Sequence, residues 1–187
     1  TLESDMTGLV SILTLERTRV STLYIDGAEI GTCDSLCSTH RYDISSYMTA
    51  GTHEIVIRVA NVGYKTGGGH MTSPDTQTNW LGIVGKMNIE IYPKSYISDV
   101  RVIASADGSL SVRGLVNGAD NAVVTATVTA PDGIRVLKAN IISDGDAFEA
   151  EFRLENAQLW DEFERNIYSL ELRCGEDIFS TSFGFVT

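Results

Sequence analysis

Four turn dipeptides punctuate the second half of the chain and limit what it can fold into: Asp107-Gly108, Asn117-Gly118, Asp132-Gly133 and Asp144-Gly145. Asp-Gly and Asn-Gly between two strand-like runs are turn signals. The runs around them alternate apolar and polar residues: Tyr96–Ala104, Leu110–Val116, Ala122–Ala130, Ile134–Ile142, Ala147–Leu154, Ile167–Leu172 and Ile178–Phe185. Seven short alternating strands joined by such turns predict an immunoglobulin-like β-sandwich over residues 95–187. Cys174 stands alone there, so no cysteine pair can bridge its sheets.

Tyr92-Pro93-Lys94 breaks the pattern upstream, because proline cannot donate to a strand ladder. A boundary near 93–95 leaves residues 1–94 as a first domain. This half also reads as strands: residues 8–16, Val20 to Ile25, a return from Ala28 after an Asp26-Gly27 hairpin turn, His53 to Val59, and Lys86 to Tyr92. In the fourth of these runs Ile55, Ile57 and Val59 fall on one face, with Glu54, Val56 and Arg58 on the other. His53 lies beside the Thr49-Ala-Gly51 turn and is expected to be solvated. The charges of Glu16-Arg17-Thr18-Arg19 either pair across strands or face a ligand. The chain is therefore expected to be all-β, with two domains at 1–94 and 95–187.

Residues 67–85 depart from strand patterning. Gly67-Gly-Gly frees the backbone, and His70, Thr72, Ser73, Asp75, Thr76, Gln77, Thr78 and Asn79 offer a dense run of hydrogen-bonding side chains before Trp80. A loop of this kind suits a polyhydroxylated ligand, and being merely solvated is its equal alternative. Trp80 is either an aromatic platform for a sugar or core packing beside Ile83 and Val84. A phosphate loop is excluded, since the glycines lack the Lys-Ser/Thr that such a loop demands.

Composition narrows the partners. A net charge of −11 argues against nucleic acid, and residues 95–187 carry most of it, with 7 basic against 15 acidic side chains. No apolar run approaches the roughly 18 residues of a membrane span, so a soluble chain with no membrane partner is expected. Thr1-Leu-Glu-Ser-Asp reads as mid-protein and leaves the compartment open. Cys33, Cys37 and Cys174 are expected as thiols, with a Cys33–Cys37 bond as the alternative. Cys33, Cys37 and His40 do not make a zinc site without a fourth ligand, so neither a metal nor a cofactor is expected.

Two matches in order carry a resemblance. Asn79-Trp80-Leu-Gly-Ile-Val-Gly85, followed by a strand, resembles the W-x-G-I-x-G segment that closes the N-terminal sugar-binding domain of glycoside hydrolase family 2, the family of β-galactosidases, β-mannosidases and β-glucuronidases. Upstream, Leu23-Tyr-Ile-Asp-Gly-Ala-Glu-Ile-Gly31, Tyr42-Asp-Ile-Ser-Ser-Tyr-Met-Thr-Ala-Gly51 and His53-Glu-Ile-Val-Ile-Arg-Val59 resemble its strand, Asp-Gly turn, "F-D-hydrophobic…L-x-x-G" and returning strand. Leu159-Trp160 through Tyr168-Ser-Leu is similar to the family's "L-W-x-P…P-x-L-Y-x-L" passage without its prolines. Thr181-Ser-Phe-Gly-Phe185 resembles the strand after which the family enters its catalytic barrel.

The resemblance implies a partial jelly-roll (galactose-binding-like) domain lacking its first strands, then an immunoglobulin-like sandwich, both belonging to the front of a β-galactosidase-like enzyme. Such retaining enzymes use two carboxylates roughly 5 Å apart, which in the family come from the barrel, so no catalytic residue is assigned here. Glu149, Glu151, Glu155, Glu162 and Glu164 read as solvated. In β-galactosidases of the family an acidic residue two positions before the tryptophan touches the substrate. That position is Thr78 here, and Asp75, Gln77 and Asn79 can replace it. The expected substrate-binding set is thus His70, Asp75, Gln77, Thr78, Asn79 and Trp80, and the expected partners are a β-galactoside-like carbohydrate and the parent's own barrel. The loop from Cys33 to His40 would lie near the sugar site. Missing strands would leave an open sheet edge or apolar patch through which the chain self-associates. A stand-alone carbohydrate-binding module and a purely structural sandwich pair are the competing readings.

Overall fold

The structure, a computed structural model, describes residues 1–63, 73 and 81–186. It is all-β, with four antiparallel sheets distributed over two compact units, Thr1–Tyr92 and Pro93–Thr187.

In the first unit, β1 (Val10–Arg17) lies between β4 (His40–Asp43) and β6 (Val84–Tyr92), while β2 (Val20–Ile25) lies between β3 (Ala28–Cys33) and β5 (Ile55–Ala60). Leu13 and Leu15 of β1 and Tyr42 of β4 share one buried cluster with Leu23 and Ile25 of β2 and with Ile44 and Met48, so the two sheets close face to face. The β2–β3 hairpin turns on Asp26 (φ 50) and Gly27 (φ 81), the paired positive φ that the dipeptide predicts. Strand identities follow the alternation closely, and most differences lie at strand ends. The run expected at residues 8–16 forms as Val10–Arg17, the run from His53 begins at Ile55, and a short 3₁₀ turn covers Ser45–Tyr47.

In the second unit, β8 (Ser109–Asn117) lies between β7 (Tyr96–Ala104) and β11 (Ala147–Arg153). The other sheet runs in the order β10 (Arg135–Ile142), β9 (Val123–Thr129), β12 (Tyr168–Cys174), β13 (Asp177–Phe183). Even-numbered Leu110, Val112 and Val116 of β8 face Val124, Ala126 and Val128 of β9 and Leu170 and Leu172 of β12 in a second buried cluster. Among these residues each hydrophobic alternates with an exposed or half-buried neighbour, so a period of two selects the core face. Trp160 sits on the rim at 40% exposure, whereas Tyr168 is buried and its hydroxyl accepts the Gln158 amide at 2.8 Å. Cys174 is buried at the end of β12, and burial, then the nearby Asp177 charge, push its thiol above the usual range. All three cysteines are thiols and none forms a disulfide.

Candidate functional site

His70, Asp75, Gln77, Thr78, Asn79 and Trp80, the residues expected to bind substrate, all lie outside the described residues. What the structure describes is the framework from which their segment springs. It leaves the end of β5 through Asn61, Val62 and Gly63 and returns through Leu81, Gly82 and Ile83 into β6.

The returning root is held by side chains from the β1 end that the sequence left open between pairing and ligand binding. The Thr18 hydroxyl donates to the Gly82 carbonyl at 3.1 Å, and the Lys86 amide donates to a Glu16 carboxylate oxygen at 2.7 Å. Gly85 takes φ 84 against that carboxylate, and a Cβ there would collide with it. The register of β1 on β6 slips between Leu15 and Arg17 at the same place. The Lys86 amide thus donates a charge-assisted bond to a carboxylate at the place where the bulge interrupts the ladder. Arg19 is buried beside them rather than facing solvent.

A buried polar chain connects both sheets of the first unit. His40 and Tyr42 are two apart on β4 and therefore share the inner face. His40 Nε2 lies 2.7 Å from the Ser35 carbonyl, which can only accept, so that nitrogen carries the proton. Its Nδ1 lies 2.6 Å from the Ser21 hydroxyl, that hydroxyl lies 2.6 Å from the Tyr42 hydroxyl, and the Tyr42 hydroxyl donates to the Ser21 carbonyl at 2.8 Å. Burial pushes the Tyr42 phenol above its usual value. Ser35 continues the chain into the 34–39 connection, its hydroxyl accepting the Ser38 amide at 3.1 Å. This connection, which the resemblance puts near the sugar site, is thus fastened to the core by His40. Reading Cys33 to His40 as one polar connection missed this. The available signal was the H-x-Y spacing on a strand, which puts both polar rings on one face.

His53, expected to be solvated, is partly exposed and is also held in a network. Its Nδ1 is 2.7 Å from Asp26 Oδ2, and its Nε2 is 2.9 Å from the Thr49 carbonyl. Asp26 also accepts the Glu54 amide at 2.8 Å through its other oxygen. The cause is strand pairing: Ile25 lies opposite Ile55, so a turn residue and a histidine 27 positions apart meet. Because both ring nitrogens face acceptors, the imidazolium is favoured. The Asp26 carboxylate, then the Thr49 carbonyl, raise His53 above 6.5, and the hydrogen bond from His53, then that from Glu54, hold Asp26 below 3.8.

The sign follows from linkage. A raised histidine contributes stability that is present in full below 6.5 and is lost as pH rises through its folded value, whereas a lowered aspartate contributes stability that is lost as pH falls from 3.8. Thermal midpoints of the first unit are therefore expected to fall as pH rises above 6.5, and Asp26→Asn, which tolerates the turn's positive φ, is expected to flatten that fall. Parallel slopes in the two proteins would remove the pair from the account.

His53 also stands at the mouth of an apolar cleft of about 170 Å³ between Ile55 of β5 and Ile89 of β6, floored by Ile25, Ile44 and Met48. Its walls offer little to a polyol. In the second unit, Arg113 lies opposite Arg101 and Glu149 in register on the outer face of β8, a row of surface charge beside a wider open hollow. Among the described residues no group of three or more metal-ligating side chains gathers, and no helix is long and apolar enough to cross a membrane.

Comparison with known proteins adds the wider context. No protein-family model matches the sequence, and no curated protein matches it. Solved structures do match. A Faecalibacterium prausnitzii β-glucuronidase is similar over 99% of this chain and 36% of its own length, with a TM-score of 0.71 at 20% identity. A Bifidobacterium dentium β-glucuronidase complexed with coumarin-3-O-glucuronide is similar over 95% of this chain and 36% of its own length, with a TM-score of 0.73 at 16% identity. A putative β-galactosidase from Bacteroides fragilis is similar over 98% and 31%, with a TM-score of 0.69 at 16% identity. At these identities the likeness is one of fold. The chain has the two-unit β architecture of a portion, about a third in length, of glycosidases named as β-glucuronidases and a β-galactosidase.

Proposed function

We propose that these residues form the non-catalytic front portion of a family-2-like glycoside hydrolase. In this reading the first unit is a partial jelly-roll sugar-binding domain and the second an immunoglobulin-like sandwich that braces a catalytic barrel elsewhere in the parent protein. The observation that carries it is the extent of the fold match, which runs through both units and covers 95–99% of the chain in three glycosidase structures. The order of the motifs supports it independently, since the W-x-G-I-x-G match falls at the entry to β6 and the Asp-Gly match falls on the β2–β3 hairpin.

The parent hydrolyses terminal β-glycosidic bonds by a retaining mechanism, with both carboxylates in its barrel. The front portion shapes the sugar site through the segment bearing His70, Asp75, Gln77, Thr78, Asn79 and Trp80. Amide and carboxylate groups there would take sugar hydroxyls, and Trp80 would offer a flat apolar face. The anchored root from Gly82 to Lys86 and the His40-fastened connection supply the rigidity such a site needs. A galactoside is the proposed substrate, and a glucuronide is its immediate rival because both kinds of enzyme share the architecture.

Calorimetric titration of the 187-residue chain with galactose, glucuronic acid and mannose at millimolar concentration tests this reading. No saturable heat is expected with any of them, because half of the site would come from the barrel, and no hydrolysis of the corresponding nitrophenyl β-glycosides is expected either. Saturable binding to one sugar, abolished in a variant carrying Asp75→Ala and Asn79→Ala, would instead make the chain a self-sufficient carbohydrate-binding module. Hydrolysis by the purified chain would overturn the assignment of a non-catalytic role.

A further inference from the structure

The connection that leaves β11 in the second unit is fixed in its backbone and exposed in its polar side chains. The Leu154 amide donates to the Gly108 carbonyl at 2.8 Å, and the Gln158 amide donates to the Tyr168 hydroxyl at 2.8 Å, so both ends are tied down. Gly108 takes φ 82, and a Cβ there would collide with the Leu154 carbonyl, so the two backbones meet at a distance that glycine permits. Between the ties Asn156 takes φ 58, a left-handed conformation that asparagine tolerates better than most residues. Glu155, Asn156 and Gln158 are exposed, and among the described residues their side chains hydrogen-bond to no protein group. A rigid loop that presents polar groups in fixed positions is pre-organised for a ligand.

This loop borders two hollows, both of a size common to ligand sites. One, of about 390 Å³, lies between the loop and the β9–β10 turn, with Asp132, Arg153, Glu155, Asn156 and Gln158 around it and Val136 and Leu137 as an apolar wall. The other, of about 440 Å³, lies toward the β7–β8 turn at Asp107, and residues 153–157 border it as well. The polar set mixes donors and acceptors: the guanidinium and the amide nitrogens give hydrogen bonds, while the carboxylates and amide oxygens take them. A hydroxyl does both, so a molecule dense in hydroxyls fits this mixture. Asp107, Asp132 and Glu155 outnumber the one guanidinium and repel anions, and Arg153, 3.4 Å from Asp107, opposes a basic ligand.

We propose that the loop is the centre of an oligosaccharide-binding groove, in which a ligand of several sugar units contacts both hollows at once. A single sugar reaches one hollow and makes too few contacts to saturate at millimolar concentration. The groove uses neither a catalytic barrel nor the segment bearing Asp75 and Asn79, so it stands independently of the proposed glycosidase role.

Calorimetric titration of the 187-residue chain with cellotetraose, xylotetraose, mannotetraose and galactotetraose tests the groove. Saturable binding of at least one of them is expected. Asn156→Gly keeps the left-handed backbone and removes the amide; combined with Gln158→Ala it is expected to weaken that binding at least about tenfold. Glu155→Gln keeps a hydrogen-bonding group and is expected to weaken it less than about threefold. Circular dichroism and thermal midpoints establish that each variant is folded. Silence toward all four sugars overturns the proposal, as does binding that survives the loss of the Asn156 and Gln158 side chains. Binding that is lost instead with Asp75→Ala and Asn79→Ala would put the sugar in the first unit and overturn the groove together with the expectation that the segment there needs its barrel. A tetralysine peptide that binds where the sugars do not, and is released by Glu155→Gln, would give the groove a cationic partner and overturn the proposal too.

Discussion

Phe185→Ala is expected to remove about 3–5 kcal/mol from the second unit, the range for emptying a buried phenylalanine site. The ring has no exposed surface and stands edge-on to Tyr168 at 5.0 Å between centroids and to Phe183 at 5.5 Å. Tyr168 and Phe183 in turn stack at 5.6 Å, so three rings support one another and the loss of Phe185 removes two of the three ring contacts. The backbone carbonyl at this position accepts the Trp160 amide at 2.9 Å and alanine keeps it, so the substitution reports on the ring. A urea titration followed through Trp160 fluorescence measures the change. Phe163→Ala is the control: that ring is 85% exposed, and its loss is expected to stay within about 0.5 kcal/mol. Equal effects at the two sites would mean that the aromatic cluster is not a keystone of this core.

The second large effect is expected at His40. Replacing it with alanine both opens a cavity and strands the Ser35 carbonyl, leaving the Ser21 hydroxyl with Tyr42 alone, for a combined loss of about 2–4 kcal/mol in the first unit. Tyr42→Phe removes only one hydroxyl from the same chain and is expected to cost less, about 1–2 kcal/mol. Denaturant midpoints give the two values. Hydrogen exchange at the Ser38 amide distinguishes fastening of the 34–39 connection from simple loss of core, because only the former releases that amide ahead of the strands.

How much of this could be read beforehand depends on the range over which each determinant acts. Asp26-Gly27 turns where its dipeptide says it must, and β8 alternates because its neighbours do, both causes lying within a few residues. Pairing of distant strands is different. Nothing near His53 announces Asp26, since the two meet only when β5 lies down beside β2. His40 was hidden for a related reason: its value depends on Ser21 and Tyr42 arriving from both sheets, while its sequence neighbours are polar connection residues. Glu16 became legible as a pairing residue only once the slip between Leu15 and Arg17 put its carboxylate under the Lys86 amide. The candidate sugar-binding residues were picked out by composition, which identifies chemistry without position, and their placement falls outside the described residues.

One consequence follows from the buried thiol of Cys174. A thiol kept from solvent and raised in pKa presents little thiolate, and the thiolate is the form that attacks an alkylating reagent. In the folded chain Cys174 should therefore ignore a reagent pulse that labels accessible thiols. Its modification then counts the molecules whose second unit has opened, and repeated pulses followed by mass spectrometry would time that opening without any added probe.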